Sequence, residues 1–485
     1  MFRAKSYLKS AVGALILLTV GIACQPSGPS VVRVVPGNGS SAVDRQLTLQ
    51  VEFDDFIDPG SLVSGHSVLL ESGGRVIPGD IIIYGSGKAL LFRPQGHLLP
   101  AASYRFSLTT GIRDRKGRAL KSAWSGRFTT TRSLPHLEAL PGKLPAGLFF
   151  HTATALNSGF VLVAGGTSLD PGGSVPPVPS AVAYRLDPKY GTLQTISMKQ
   201  RRIRHTATPL ANGEILLAGG DLGPSTEFYS ETTGVFRTGP DLGAARMAHS
   251  ATVLADGKVL FVGGVRPSIQ GMGYSLTRLA TAEIYDPGTG KIRSVGSMKR
   301  ARIGHTATLL ASGKVLVAGG HSSLDLELFD PVQETFRVIG SLVQSREDHR
   351  ANLLANGWVL FTGGSDARGK SLRHAELYDP SSHRTRVTAG AMGVAREDHT
   401  ATVLPSGRVL ITGGEDNAAG ANGSDIVLDA VELYDPTTDR FLSSGPLSLS
   451  RDDHTATLLS GGRVLLLGGE DHESRGIPTG ETYRP

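Results

Sequence analysis

One phrase recurs seven times in this chain, and nothing else in the sequence restricts the fold as tightly. It begins at His151, His205, His249, His305, His349, His399 and His454. Eight residues later stands a glycine in every copy (Gly159, Gly213, Gly257, Gly313, Gly357, Gly407, Gly462). Fourteen residues after the histidine comes a Gly-Gly pair, whose first members are Gly165, Gly219, Gly263, Gly319, Gly363, Gly413 and Gly468. An aromatic follows near a turn: Tyr184, Tyr229, Tyr285, Phe329, Tyr378, Tyr434, Tyr483. HTATLL alternates as a half-buried strand does, and the Asn-Gly, Asp-Gly or Ser-Gly pair after it makes a tight hairpin turn. KVLVAGG is almost wholly apolar, the composition of a strand with neighbours on both sides. AELYDP supplies a third strand and TFRVIG a fourth. Four antiparallel strands per unit of about 50 residues predict a β-propeller blade.

The Gly-Gly pair with its downstream tyrosine, in phrases such as HTATLLASGKVLVAGG, resembles the Kelch repeat. The resemblance covers 133–485 and implies a seven-bladed Kelch β-propeller. The last copy stops at Thr482-Tyr483-Arg484-Pro485 with a third strand and no fourth. Leu137–Leu144 (LEALPGKL) matches the missing phrase, so an N-terminal strand is expected to close the seventh blade and remove the free sheet edges. Kelch propellers serve as binding modules and as the catalytic domain of galactose oxidase. The latter chemistry needs a tyrosine cross-linked to a cysteine and a Tyr-His pair of ligands. The lone cysteine here is Cys24, and no Tyr-His dipeptide occurs. Neither sialidase boxes, a Walker loop nor a GxSxG elbow is present. The expectation is a protein that is not an enzyme. The alternative is a carbohydrate-active oxidase or hydrolase with its site in the propeller mouth.

Ahead of the repeats lie two further segments. Residues 1–23 read as an export signal: Arg3, Lys5 and Lys9 precede an apolar run, Ala11–Ala23, too short to span a bilayer. The run ends at Cys24, which resembles the lipobox of bacterial lipoproteins, with Gly21 where that family usually has leucine. The resemblance implies lipidation of Cys24, a membrane attachment through that lipid and, with Gln25 following, an outer-membrane address. The other reading is an ordinary cleaved signal. Residues 24–31 read as a linker. Residues 32–131 alternate in short strands between Gly, Pro and Asp turns, which suits a β-sandwich. FDDFIDPGSL, YRFSLTTGIRDRKGRAL and GRFTTT resemble the bacterial Ig-like domain of surface proteins, implying a spacer or adhesive module. The expected fold class is therefore all-β: an Ig-like β-sandwich at 32–131, then the propeller at 133–485. Of the +6 net charge, half belongs to the signal segment, and no basic block follows it, so no nucleic-acid partner is expected.

Function is sought where the repeat departs from itself. The seven histidines start equivalent strands, so they form a ring too wide to hold one ion, and each is expected to bond backbone or a neighbouring blade. Arg202, Arg246, Arg302, Arg346, Arg396 and Arg451, three residues before the histidines, are expected to pair with acids between blades; Leu148 replaces the first. The two residues before the histidine are acidic only in the last three copies: Glu347-Asp348, Glu397-Asp398 and Asp452-Asp453. After the Gly-Gly pair the bias repeats with Asp366, Glu415, Asp416, Glu470 and Asp471, while Arg204 and Arg266 lie in earlier copies. These residues form the candidate binding rim. No cofactor or metal is assigned, although calcium or a basic partner suits such acids. The opposing reading is a solvated rim with salt bridges to the repeat arginines. Long loops (Asp170–Pro179, Val265–Arg278, Glu415–Asp429) mark the face where a protein or glycan ligand is expected.

Overall fold

The computed structural model describes residues 28–43, 49–73, 75–84, 87–94, 98, 102–130, 136–167, 179–270, 273–417, 425–471 and 473–485. The segment 1–23 expected to be an export signal, Cys24 and most of the Asp170–Pro179 loop lie outside them. Among the described residues the chain is all-β apart from short 3-10 turns such as Pro59–Ser61, and it divides into two units, Met1–Arg132 and Ser133–Pro485.

In the first unit a four-stranded sheet runs in the order Val31–Val35, Leu49–Phe53, Ala89–Pro94, Gly79–Tyr84. A five-stranded sheet runs Ser40–Val43, Trp124–Thr130, Ser103–Leu108, Val68–Ser72, Arg75–Ile77. Alternate residues of both, among them Val51, Phe92, Leu70 and Phe106, bury into one core, as a sandwich demands. Asp54, Asp55 and Asp58 serve the loops: Asp54 accepts the Ser30 N–H, Asp55 pairs with Arg118 and Asp58 caps the 3-10 turn. Pro29 and Ser30 are tied to this unit through the N–H groups of Lys121 and Asp54. The linker expected at 24–31 is therefore shorter, because its last residues already bond to the sandwich.

The second unit holds seven four-stranded antiparallel sheets in sequence order. In the fourth, His305–Leu309, Val315–Gly319, Asp325–Asp330 and Thr335–Ser341 lie side by side. Second strands such as Val315–Gly319 are buried along their whole length. In the last sheet the outermost strand is His136–Ala139, paired antiparallel with Gly480–Arg484 at the end of the chain. The first strand of each sheet packs beside the first strand of the next, and Thr455–Leu458 of the seventh packs beside Thr152–Ala155 of the first. The apolar clusters sit between successive sheets: Leu316, Leu328 and Leu342 of the fourth meet Val359, Phe361 and Tyr378 of the fifth.

The Gly-Gly pairs have a steric reason. A Cβ on Gly319 would collide with the Arg346 carbonyl and the His349 ring of the next repeat, and one on Gly320 with the Ile303 carbonyl. Both glycines also take positive φ, which a side chain disfavours.

Candidate functional site

Two layers of polar side chains meet at the start of the seven first strands, and the outer one is scaffold. Each repeat arginine is fully buried. Arg346 donates to the carbonyls of Gly363 (2.6 Å) and His374 (3.2 Å) and to Glu376 Oε1 (2.8 Å). Glu376 in turn accepts the N–H groups of Val343 and Gln344. Glu227, Glu283, Glu327, Glu432 and Glu481 partner the other five arginines. Every one of these glutamates lies on the third strand of the sheet its arginine leads into. The expected pairing between successive units takes this form: the Arg346 carbonyl accepts the Gly320 N–H of the preceding sheet while its guanidinium reaches the third strand of the next, and Arg202 itself ends the last strand of the sheet before the one that holds Glu227. Sequence reasoning missed the glutamates, although the signal was there. A Glu stands two residues before the aromatic in six repeats, and Val182 replaces it in the repeat where Leu148 replaces arginine.

The histidines are equally structural. His205 Nε2 meets Thr152 Oγ1 of the preceding repeat at 3.0 Å, and His349 meets Thr306 in the same way. His151 meets Thr455, joining the first repeat to the last. The fifth repeat departs from this rule, since Arg350 occupies the place of that threonine and His399 turns to Thr362 instead. Burial lowers the pKa of all seven, to about 4 for His151 and about 3 for His205 and His305.

The inner layer carries the variable chemistry. The residue before each histidine (Phe150, Arg204, Ala248, Gly304, Asp348, Asp398, Asp453) has a left-handed backbone, with φ from 43° to 63°. The Arg204 N–H donates to the Phe150 carbonyl, Ala248 to Arg204, Asp348 to Gly304 and Asp398 to Asp348. Successive repeats are thus stitched together where these side chains begin. The residue before that bridges to the first residue past the Gly-Gly pair: Met247 to Val265, Glu347 to Ser365, Glu397 to Glu415, Asp452 to Glu470. The variable loops therefore leave from the same face. The Val265–Gln270 and Gly273–Arg278 hairpin and the Glu415–Asp416 and Ile426–Val427 pair are built on it.

The acids here are not a solvated rim. Glu397 is 7% and Asp452 5% exposed, and Glu347, Asp348, Asp398, Glu415, Asp453 and Glu470 are half-buried. The repeat arginines are already committed to the third-strand glutamates, so that salt-bridge expectation also fails. Burial pushes Asp398 well above the usual carboxylate range, helped by the neighbouring charges of Asp453 and Asp348. Burial lifts Asp452 to about 9, with Asp453, Glu470 and Glu415 adding repulsion. Asp453 and Glu397 rise to about 7, again chiefly by burial. Glu347, Glu415 and Glu470 rise for the same reason. Arg204 stacks its guanidinium 3.7 Å over the Phe150 ring, and Arg350 donates to the carbonyls of Asp348 and His349. Both favour the charged form of Asp398 from a distance, and among the described residues neither makes an ion pair with these acids. Arg350 was missed in the sequence, where its signal is HRAN in place of HTAT.

Four of the rim candidates stand apart from this cluster. Asp366 and Asp471 cap turns by accepting the N–H groups of Arg368 and Glu473, and Asp471 also pairs with Arg475. Asp416 is strand-paired with Ile426, and Arg266 is exposed on its hairpin. No group of three or more His, Cys, Asp or Glu among the described residues has metal-holding geometry.

Histidines and acids pull stability in opposite directions with pH. A histidine with a depressed folded pKa stabilises above about pH 6.5 and loses that contribution as pH falls, because the unfolded chain binds the proton first. A carboxylate with a raised folded pKa costs stability at high pH, and the cost is relieved as pH falls towards its ordinary value. Between about pH 4.5 and 7 the two sets offset each other, and below that the histidines are joined by carboxylates held below their ordinary range, such as Asp330, Glu334 and Asp379, so that both lose stability as pH falls. A calorimetric pH series is expected to show a shallow decline down to about pH 4.5 and a steep one below. In an Asp398→Asn, Asp452→Asn, Asp453→Asn variant stability at pH 8 should rise and the decline should begin nearer pH 6. A melting temperature flat from pH 8 to 4 in both proteins would contradict the buried neutral histidines.

Comparison with known proteins agrees with this division. Residues 25–130 match the family model described as "Bacterial Ig-like domain". No curated protein matches. Among solved structures, a fungal alcohol oxidase of the AA5 family in complex with copper aligns with a TM-score of 0.56 at 18% identity, covering 72% of this chain and 76% of that one. At that identity the likeness speaks for the fold alone. The chain thus joins a bacterial Ig-like domain, within residues 25–130, to an all-β unit whose fold is similar to that of the oxidase.

Proposed function

We propose that this is an exported, lipid-anchored cell-envelope binding protein without enzymatic activity. In this reading lipidated Cys24 holds the chain to the outer membrane and the Ig-like domain is a spacer. The second unit is a closed seven-bladed Kelch-type propeller whose loop-bearing face takes a protein or glycan. The cyclic order of first strands and the pairing of His136–Ala139 with Gly480–Arg484 support the propeller. Among the described residues no helix is long and apolar enough to cross a membrane.

One observation carries the binding role. Six of the seven left-handed positions at the centre keep a side chain at a backbone cost of about 1–2 kcal/mol each. Their identities vary while the scaffold around them repeats. Strain kept where the chemistry varies marks a surface used for something other than folding. The second reading, a carbohydrate-active enzyme, draws on Glu397 and Asp452, which hold protons near neutral pH as a general acid must. A thermal-shift screen of the full chain against a glycan panel, with every hit then assayed for turnover, separates the two. Stabilisation without conversion is expected, and it should vanish when the Val265–Arg278 hairpin is shortened. A converted hit would establish the enzyme instead.

A further inference from the structure

The Ig-like unit gathers exposed basic side chains at the end where the chain enters it. Gly28 lies so close to the loop 109–121 that a Cβ there would run into the Ala119 carbonyl. The Lys121 N–H donates to the Pro29 carbonyl, and the Ser30 N–H to the Asp54 carboxylate. A second loop joins the first, because the Asp58 N–H donates to the Arg113 carbonyl and the Ile57 N–H to that of Gly87. The strand Trp124–Thr130 begins beside these loops, where Trp124 pairs with Leu108. It ends at the far side of the unit, where Thr129 pairs with Ser103.

In sequence Asp114 interrupts the basic residues of this loop, so they do not read as a block. In the fold Asp114 is 2% exposed and accepts the N–H groups of Lys116 and Arg118 and the Arg118 guanidinium. Asp55 also pairs with Arg118, while Asp54 and Asp58 accept the backbone N–H groups of Ser30 and Gly60. The acids of the two loops are thus spent within the fold. Arg113, Arg115, Lys116 and Lys121 stay exposed, and among the described residues none of them makes an ion pair. Phe56, itself 36% exposed, stands between two cations: Lys88 Nζ is 4.9 Å and the Arg115 guanidinium 5.1 Å from its ring centre. An exposed ring flanked by cations suits a lipid interface, the ring meeting the acyl boundary and the charged heads the phosphates above it.

We propose that this end of the Ig-like unit docks on a membrane surface of anionic lipid headgroups, with Phe56 at the acyl boundary and Arg113, Arg115, Lys116 and Lys121 on the phosphates. The proposal adds a second membrane contact to the lipid anchor, and it rests on that reading for bringing the membrane near. Four residue steps separate Cys24 from Gly28, at most about 14 Å of chain. A lipid on Cys24 therefore holds the basic loops within reach of the headgroups. Each cation brought to such a surface raises the partition about fivefold, and salt weakens the effect.

Cosedimentation of the processed chain, residues 24–485 with Cys24→Ser, tests the surface apart from the lipid. Vesicles of equal parts phosphatidylglycerol and phosphatidylethanolamine should pellet it at low salt, and vesicles of phosphatidylcholine should not. The partition should fall at least tenfold in an Arg115→Glu, Lys116→Glu, Lys121→Glu variant and severalfold in Phe56→Ser. An Arg75→Glu, Arg105→Glu, Arg127→Glu control, which reverses exposed cations elsewhere on the unit, should bind as the parent does. The charge reversals touch only exposed side chains, so both triple variants should melt with the parent. No pelleting with the anionic vesicles or an equal loss in the control would overturn the proposal. So would release by sodium phosphate but not by sodium chloride of equal ionic strength, which would assign the loops to free phosphate. Labelled palmitate fed to cells making the native chain reads the anchor separately. Label without vesicle binding by the processed chain sinks this inference alone; vesicle binding without label sustains the docking surface and sinks the lipid reading.

Discussion

Deleting residues 133–145 from the full chain is expected to abolish its cooperative thermal transition and drive it into aggregates. The deletion removes His136–Ala139, which pairs residue for residue with Arg484, Tyr483, Thr482 and Glu481. It also removes Leu140 and Leu144, 7% and 1% exposed, from the cluster shared by the first and last sheets. Those two leucines alone represent about 3–6 kcal/mol of burial. That is comparable with the whole stability of many domains, about 5–15 kcal/mol. The loss also bares Gly480–Arg484 as an unpaired edge, with Tyr483 beside it, and such an edge templates pairing with other chains. Size-exclusion chromatography and calorimetry read the outcome. An unchanged elution volume and melting temperature would show that the strand contributes nothing to closing the sheet.

Replacing Arg346 by methionine should cost about 3–5 kcal/mol in denaturant unfolding, because Glu376 would be left as a lone buried charge. Glu376 is 1% exposed, and the guanidinium also holds the Gly363 and His374 carbonyls. The chain contains its own control. In the first repeat the arginine is Leu148, the glutamate is Val182, and Pro145 takes the place of Val343, whose N–H the glutamate would accept. All three polar groups are missing together, and Leu148 is still buried. An Arg346→Leu, Glu376→Val double variant should therefore recover much of the loss, with the N–H groups of Val343 and Gln344 limiting the recovery. A loss in the double variant equal to the sum of the two single losses would mean that the pair is not coupled.

Much of the second unit was legible in its repeats. The hairpin glycines, the buried Val/Leu strands and the Gly-Gly pairs report local requirements (a turn, two covered faces, a close backbone approach), and local requirements are written in local residues. The acidic pairs at 347–348, 397–398 and 452–453 were visible for the same reason. Their state was not. Read as letters they resemble a solvated rim; in the fold Glu397 and Asp452 are almost covered, and their protons are held accordingly. The arginines were legible as structural groups but not by partner, since 25 residues separate Arg302 from Glu327 and only the sheet brings them together. Arg350 escaped notice because its meaning lies in the threonine it replaces.

The sequence by itself determined the number of repeating units, the strands within each and the turns between them. These follow from side-chain alternation and turn chemistry over a few residues. Only the tertiary structure decided which side chains share one environment. Phe150, Arg204, Asp348, Asp398 and Asp453 are scattered over most of the repeat unit. They gather because the first strands pack in cyclic order and a left-handed residue turns inward before each. The charges of Asp398, Asp452 and Asp453 then depend on burial and on one another, and neither exists until the sheets have assembled.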